Sequence, residues 1–524
     1  MRTGGRGSSA DGVGRRVLAR LDGWANRLYG WRGNPLYHSG AIVVVMLLVL
    51  LVTGLYLIFF YRLGAPYASM VRIDGQVWTG RWLRALHRYS ADAALAAAGV
   101  HAVRLWLQRR TWGPRGLAWL SGLFLVWLIL VCGWTGYVMV WDTQGHMLAA
   151  VGARLLDVLP LFSEPLGRSF AGELPVPTAF FFLNLFAHVA LPVGLLLVLW
   201  LHVSRLARPA LFPPRRLGWV LVGLLTVLAV LWPAALGPEA DPLRLPERVP
   251  LDVVYNFWAP WSASVPARVT WLAGLGVLGL LAAVPWWTRP RADCRPEPSV
   301  VDTRFCTGCE QCYLDCPYEA IAMVARTDGR AGLVAQVDPT LCVSCGICSG
   351  SCAPMGVGPP GRTGRDQLED VTSFIARTAD LSQRIVIAGC RWSAAGPRDS
   401  GSDGTLVYPV SCAGNLHTSV IEYLVRAGAA GVLVVSCPPR DCRSREGPKW
   451  LEQRVFSGRE AELKARVDRA RVRVVYASRA EQARLSHEVA SFRADLAWSA
   501  VPDAEQDIDL IALCERPEAE EVGA

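Results

Sequence analysis

Twelve cysteines and four histidines carry most of the chemistry this chain could do. His87 and His101 stand fourteen residues apart in one apolar stretch, and His188 and His202 stand fourteen apart in another. Further on, Cys306, Cys309, Cys312 and Cys316 form a C-x-x-C-x-x-C-x-x-x-C-P run. Cys342, Cys345, Cys348 and Cys352 repeat its cysteine spacing, and Cys390, Cys412, Cys437 and Cys442 follow. Imidazoles and thiolates are the side chains that hold redox metals. Their order gives metal ligands first in apolar surroundings and then in a soluble tail, as an electron wire requires.

On an α-helix fourteen residues advance about 21 Å and close almost four turns. His87 and His101 therefore share one helix face, one near each membrane surface, and so do His188 and His202. Two such helices running parallel would set the four imidazoles in two axial pairs, each able to hold a haem iron through neutral nitrogens. A lone histidine in a span can simply be a satisfied polar group. Two pairs at equal spacing, at a depth where ionisable groups are costly, favour ligation. Gly40 and Gly54 repeat the fourteen-residue interval, as do Gly122 and Gly136. They would clear the backbone for a flat macrocycle, although glycine is common in membrane helices. Arg84 and Arg104 lie one turn from His87 and His101, where haem propionates would sit. Arginines exposed at a membrane edge would occupy the same positions.

The doubled cysteine run has the spacing of bacterial ferredoxins, in which the fourth cysteine of each run serves the other cluster. One [4Fe–4S] set is then Cys306, Cys309, Cys312 and Cys352, and the second is Cys342, Cys345, Cys348 and Cys316. Zinc is the rival, but it rarely uses four cysteines at this spacing twice. The four further cysteines suffice for one [2Fe–2S] site held by thiolates alone. No C-x-x-C-H occurs, so no ordinary c-type haem is expected. Cys132, Cys294 and Cys514 are left without a role.

The elements that must position these ligands follow from composition. The 524 residues exceed one core. Residues 1–290 are apolar and rich in Trp, Leu and Val; residues 291–524 hold nearly all the cysteines. A span needs about 20 apolar residues, and six stretches qualify: 39–60, 84–107, 117–140, 178–204, 216–235 and 268–287. The net charge of +9 is almost all arginine, lysine occurring only at Lys449 and Lys464. The arginines are scattered through loops, which excludes a nucleic-acid stripe. Basic segments before the first span, after the second and fourth, and after the sixth place both termini in the cytoplasm. Tight C-x-x-C spacing argues for reduced thiolates and a reducing compartment. No cleavable signal is evident, and the first apolar run reads as an anchor.

The expected architecture is multidomain. Residues 1–37 form a basic, loosely ordered cytoplasmic segment. An all-α membrane domain covers 38–290: a four-helix dihaem bundle plus two further membrane helices. An α+β ferredoxin-like domain covers 304–355, a linker with a Gly/Pro hinge covers 356–382, and a small α/β domain covers 383–497. An acidic tail, 498–524, closes the chain.

Residues 30–290 resemble the cytochrome b family of quinol-oxidising complexes. The resemblance rests on LHRYSADA around His87, HAVR around His101, TGLYL around Gly54, GYVMVW from Gly136 and LFAHVALP around His188. It implies two b haems, an outer one on His87 and His188 and an inner one on His101 and His202, a quinone substrate and, by analogy, a homodimer. The family's Pro-Glu-Trp-Tyr quinol motif is absent from ADPLRLPERVPLDVVYNFW, leaving Asp252 as a replacement proton acceptor with Tyr255 nearby. Leu148 stands where the family has a small glycine beside the quinone, and Ala207 where it has a histidine. A full two-site quinone cycle is not expected.

Residues 383–497 resemble the iron–sulfur delta subunit of methanogen-type hydrogenases (MvhD-like), on IVIAGCRW, YPVSCAGNL, AGAAGVLVVSC and PPRDCRSREG. The resemblance implies a [2Fe–2S] cluster and a partner bearing flavin, or a hydrogenase-like or heterodisulfide-reductase-like subunit. Ser393 replaces a cysteine of that family, and His417 is read as a surface histidine. Together these modules imply a membrane oxidoreductase subunit joining the quinone pool to a cytoplasmic redox partner. Two alternatives stay open: a membrane anchor with a docking tail, and the cytochrome b of a complex with a Rieske protein.

Overall fold

A computed structural model describes residues 9–159, 165–170, 176–207, 210–241, 252–291, 295–378, 380–396 and 404–499. The chain divides into two compact units, Met1–Arg295 and Pro296–Ala524.

The first unit is helical: α1 (Ser9–Gly33), α2 (Ser39–Phe60), α3 (Pro66–Gly75), α4 (Gly80–Leu107), α5 (Gly116–Val140), α6 (Thr143–Leu156), α7 (Thr178–Leu201), α8 (Arg215–Leu231), α9 (Ala259–Ser264), α10 (Ala267–Ala282) and α11 (Val284–Trp287). Helices thus stand at each of the six expected stretches. On length and composition, four segments could cross a membrane: Ser39–Phe60, Gly113–Val140, Thr178–Leu206 and Ala267–Trp287. Large apolar residues such as Val52, Phe59, Val193 and Leu197 are exposed on these helices. A helix apolar all round, with its outer face uncovered, suits lipid and not water.

The 28-residue α4 is long enough to span, but its mean hydropathy is lowered by Arg81, Arg84, Arg88, Asp92 and Arg104. The charges have specific partners. Arg84 Nη2 donates to Asp74 Oδ1 at 2.7 Å. Arg104 clasps Asp22 with two hydrogen bonds, of 2.6 and 3.0 Å, and lies over the Tyr37 ring.

That clasp changes the reading of the N-terminal segment. Its described part is helix α1, with Asp22, Ala25 and Asn26 buried. Asn26 donates to the Tyr37 hydroxyl at 2.9 Å, and Asn34 donates to Asn26 at 2.7 Å. A Gly/Arg-rich composition conceals such contacts because they are made to residues distant in sequence.

The second unit begins with two antiparallel pairs. β1 (Val300–Val301) pairs with β4 (Val357–Gly358), and β2 (Ile321–Ala325) pairs with β3 (Leu333–Val337). Short helices α12 (Gln311–Leu314) and α13 (Ile347–Ser351) complete this module. Beyond it, β5 (Ile385–Cys390), β6 (Thr405–Val410), β7 (Gly431–Ser436) and β8 (Val472–Tyr476) form a parallel sheet in the order β6-β5-β7-β8. Every residue of β5 and β7 is buried, as strands covered on both faces require. Helices α15 (Thr418–Arg426), α16 (Gly447–Phe456) and α17 (Gln482–Ser499) belong to the same domain.

Residues 356–382 differ from the expected linker. They contain helix α14 (Gly364–Arg377), started by a capping box between Thr363 and Asp366. Gln367 of this helix donates to Ser349 Oγ at 3.1 Å and to the Asn415 carbonyl at 2.9 Å. Its own side-chain oxygen accepts the His417 N–H at 2.9 Å. Asn415 Nδ2 donates to the Gly346 carbonyl at 3.0 Å. These bonds weld the ferredoxin-like module to the α/β module. Proline and glycine at 356–361 reflect a turn, with Gly361 at φ 69°, and not a hinge. The acidic tail lies outside the described residues, apart from its first two positions at the end of α17.

Candidate redox centres

Four helices of the first unit, α2, α4, α5 and α7, bring the histidines together. The His87 and His188 ring centroids are 6.4 Å apart. An iron bonded to both Nε2 atoms at ordinary metal–nitrogen lengths of about 2 Å would hold the rings at a similar separation. Fourteen residues on, His101 of α4 and His202, which opens the π-helical turn His202–Ala207 directly after α7, lie close enough to feel each other's charge.

Each imidazole has a hydroxyl at Nδ1. Thr53 Oγ1 lies 2.8 Å from His87, Ser39 Oγ 3.5 Å from His101, Thr135 Oγ1 3.0 Å from His188 and Ser121 Oγ 2.8 Å from His202. Three of these hydroxyls also donate to carbonyls of their own helices: Thr53 to Val49 at 2.7 Å, Thr135 to Cys132 at 2.9 Å and Ser121 to Ala118 at 3.1 Å. With the hydroxyl proton so engaged, the oxygen lone pair accepts the histidine Nδ1–H. That assigns the tautomer whose Nε2 lone pair is available to a metal.

The residue after each hydroxyl is one of the spaced glycines. A Cβ on Gly40 would fall 2.9 Å from His101 Cε1, and one on Gly136 3.0 Å from His188 Cε1. The corresponding separations are 3.2 Å for Gly54 and His87, and 3.5 Å for Gly122 and His202. What the missing Cβ admits is thus the edge of the facing imidazole. The glycine interval was legible in the chain, and so was the Ser/Thr-Gly dipeptide, Ser39-Gly40, Thr53-Gly54, Ser121-Gly122 and Thr135-Gly136. The hydroxyls repeat the same fourteen-residue interval, and that is the signal in the chain that points to them.

Arg84 and Arg104 are placed against carboxylates, as described above. Asp252 accepts from the guanidinium of Arg88 and the hydroxyl of Tyr137, and its Oδ1 accepts the N–H groups of Val254 and Tyr255 at 2.7 and 3.0 Å. Burial pushes its carboxyl upward, but the hydrogen bonds and the Arg88 charge outweigh it and hold Asp252 below the usual range. The Tyr255 hydroxyl donates to the Ala91 carbonyl at 2.9 Å, and its ring fills the space where a Cβ on Gly133 would sit. Leu148 is fully buried among Trp141, Phe181 and Ala149.

In the second unit the two ferredoxin runs fold alike. Gly308 and Glu310 have positive φ, and so do Ser344 and Gly346 at the equivalent positions. Left-handed residues in such loops can form concave nests of backbone N–H groups that suit an anion. Cys306, Cys309, Cys312 and Cys352 line one cavity with Val301, Met323 and Ala335. Cys316, Cys342, Cys345 and Cys348 line a second with Ile321, Val337 and Ile347. The fourth cysteine of each run thus stands with the other three of its opposite.

The last four cysteines meet at the carboxyl ends of neighbouring strands, where open α/β sheets place their ligands. Cys390 ends β5, Cys437 follows β7 and Cys412 follows β6. All four are buried. The thiols form a closed ring, Cys390 and Cys442 each beside both Cys412 and Cys437. Thiols of Cys390 and Cys442, burial notwithstanding, hold Cys412 well below its ordinary range, whereas Cys437 and Cys442 are pushed well above theirs by neighbouring thiols. Thiols this crowded cannot all ionise without a compensating cation. An iron–sulfur core fits that need. Among the described residues no three His, Cys, Asp or Glu gather as a site for one metal ion. In the two cavities the sulfurs ring a volume, which suits a cubane better than zinc.

Ser393 turns its hydroxyl to the Cys390 carbonyl at 2.8 Å. His417 is not a surface residue. It is 3% exposed, its Nε2 is 3.3 Å from the Cys352 carbonyl, and burial followed by the Arg454 charge lowers its pKa to about 4. Cys132 is half-buried on α5; Cys294 and Cys514 lie outside the described residues.

Paired imidazoles in a membrane-type bundle and cysteines in three sets are the arrangement that a membrane electron carrier needs. Family models divide the chain accordingly: "Cytochrome b/b6/petB" matches residues 32–210, "4Fe-4S dicluster domain" 305–356, and "Methyl-viologen-reducing hydrogenase, delta subunit" 385–497. The chain is a cytochrome b domain fused to iron–sulfur domains. It is similar to the cytochrome b subunit of the cytochrome bc complex of Chlorobaculum thiosulfatiphilum, 26% identical over 43% of this chain and 58% of that one. It is also similar to cytochrome b6 of Heliobacterium mobile, 29% identical over 27% of this chain and 68% of that protein. The chain therefore spans little more than half the length of the first of these relatives. Among solved structures, a chain of "Hyperthermophilic respiratory Complex III" matches with a TM-score of 0.39 at 16% identity, over 55% of this chain and 85% of that one.

Proposed function

We propose that this chain is the membrane electron-transfer subunit of a quinone-linked oxidoreductase, joining the quinone pool to a cytoplasmic redox partner. The observation that carries the reading is the presence in one chain of two histidine pairs and three four-cysteine sets, each pre-arranged for one redox group. In the membrane domain, 38–290, His87 and His188 hold the outer b haem, and His101 and His202 the inner. In the tail, Cys306, Cys309, Cys312 and Cys352, then Cys342, Cys345, Cys348 and Cys316, hold [4Fe–4S] clusters. Cys390, Cys412, Cys437 and Cys442 hold a [2Fe–2S] cluster. When bound, these groups supply one-electron storage at fixed points. The chain orients the imidazoles through Ser39, Thr53, Ser121 and Thr135, excludes water and compensates charge.

The scattered basic loops support cytoplasmic termini and a cytoplasmic tail. The delta-subunit match supports a hydrogenase-like, heterodisulfide-reductase-like or flavin-bearing partner. Asp252 and Tyr255 remain the candidates for quinone chemistry, and the altered quinol motif disfavours a Rieske-type complex. Arg84 and Arg104 remain candidates for the propionates through exchange of their carboxylate partners.

The test is spectroscopic. Purified, reduced protein should show a b-type absorption band together with [4Fe–4S] and [2Fe–2S] signals; absence of the band, or of all iron–sulfur signals, overturns the reading. His101→Ala should abolish quinone-coupled turnover. Intact turnover would make the membrane half an anchor and the tail a docking platform.

A further inference from the structure

Arg454 on α16 is fully buried. Its Nη2 donates to the Gly414 carbonyl at 2.8 Å and its Nη1 to Ser351 Oγ at 3.3 Å, while Nε has no hydrogen-bond partner among the described residues. No carboxylate ion pair is made by Arg454 among the described residues. The nearby Asp315 is already paired with Arg459 and accepts from Ser351 at 2.7 Å. A guanidinium in such surroundings is costly unless an anion compensates it.

Its neighbours identify the anion. Gly414 lies two residues after Cys412, and Ser351 lies between Cys348 and Cys352. The Ser351 side is shaped for the guanidinium: a Cβ on Gly350 would fall 2.2 Å from Arg454 Nη1. After Asp315, the charge is felt by Cys412 and by Cys348. Cys345 in turn feels Cys412, so the two cysteine sites are neighbours. Arg362 approaches the same pair, donating to the Ser344 carbonyl at 3.0 Å and to Ser344 Oγ at 2.6 Å, and it too lacks a carboxylate partner among the described residues.

We propose that Arg454 is a positioning residue for electron transfer: a fixed positive charge shared by the Cys412 site and the Cys345–Cys348 site, which eases reduction of both and links their potentials. The proposal rests on the cluster assignment made above. Each reduction adds one electron, supplied in the test by dithionite, and Arg454 gains or loses no proton. Asp315 supplies part of the countercharge without a direct ion pair, and the cluster anions, whose negative charge increases on reduction, supply the rest.

The experiment is an anaerobic potentiometric titration of the full-length protein followed by electron paramagnetic resonance. Arg454→Met should make reduction of the [2Fe–2S] centre and of one [4Fe–4S] centre at least tenfold less favourable, about 59 mV for a one-electron couple. Arg454→Lys should recover part of the shift, and the remaining [4Fe–4S] centre should move less. Arg454→Met with full iron content and unchanged potentials overturns the proposal. If that variant loses iron, Arg362→Gln decides: a downward shift of the same two centres supports a shared charge, and unchanged potentials overturn it. A wild-type protein with [4Fe–4S] signals but no [2Fe–2S] signal would overturn the underlying assignment, a result distinguishable from failure of the charge proposal.

Discussion

Thr53 Oγ1 stands 2.8 Å from His87 Nδ1 while its own proton goes to the Val49 carbonyl at 2.7 Å. One hydroxyl thereby fixes the ring orientation and the tautomer of a histidine on another helix. Outer hydrogen bonds of this kind typically govern metal affinity by about 10–100-fold.

Thr53→Val keeps the side-chain shape and removes the acceptor. Haem at the His87–His188 pair should become easier to extract and its potential should shift, with the His101–His202 pair unaffected. Haem content and a redox titration of the b band measure both. Equal effects on the two haems would contradict a local role for Thr53.

The glycines make a graded prediction within one histidine pair. Gly40→Ala places a Cβ 2.9 Å from His101 Cε1, tighter than real contacts, whereas Gly122→Ala places one at an ordinary 3.5 Å from His202. Overpacking of the first kind costs about 1–3 kcal/mol. Gly40→Ala should therefore lose inner haem, and Gly122→Ala should retain most of it. Haem stoichiometry in the two variants checks the order.

Asp252 compensates Arg88 and accepts from Tyr137. Asp252→Asn removes one of the two carboxylates that pair with that guanidinium, leaving Asp92. The loss of a charged hydrogen bond costs about 1.5–3 kcal/mol, so the thermal midpoint of the membrane domain should fall. If Asp252 also takes quinol protons, turnover should fall with both haems retained. Unchanged turnover in a folded variant would remove it from the quinone site.

The two iron–sulfur modules should behave as one body. Asn415 and Gln367 bridge them with bonds of 2.9–3.1 Å. Limited proteolysis of the full chain should spare residues 356–382, and the tail should unfold in one transition. Asn415→Ala removes donors to the Gly346 and Arg362 carbonyls and should lower that transition by about 1–3 kcal/mol. Rapid cleavage between the modules would contradict the weld.

The sequence alone was sufficient to group side chains whose placement depends on local spacing. Fourteen residues return a helix to one face, and C-x-x-C runs curl their thiols inward, so the shared face of His87 and His101 and the gathering of the eight ferredoxin cysteines about two cavities are legible in the chain. The tertiary structure decided what depends on contacts between distant segments. It set Thr53 under His87, brought α1 to Arg104 through Asp22, turned an expected linker into a weld and His417 from surface to interior. It also placed the buried Arg454, which makes no carboxylate ion pair among the described residues, between two cysteine sites. Periodicity reports the face a residue occupies on its own element; the partner across the gap is chosen by packing of whole elements, and no spacing within one segment encodes it.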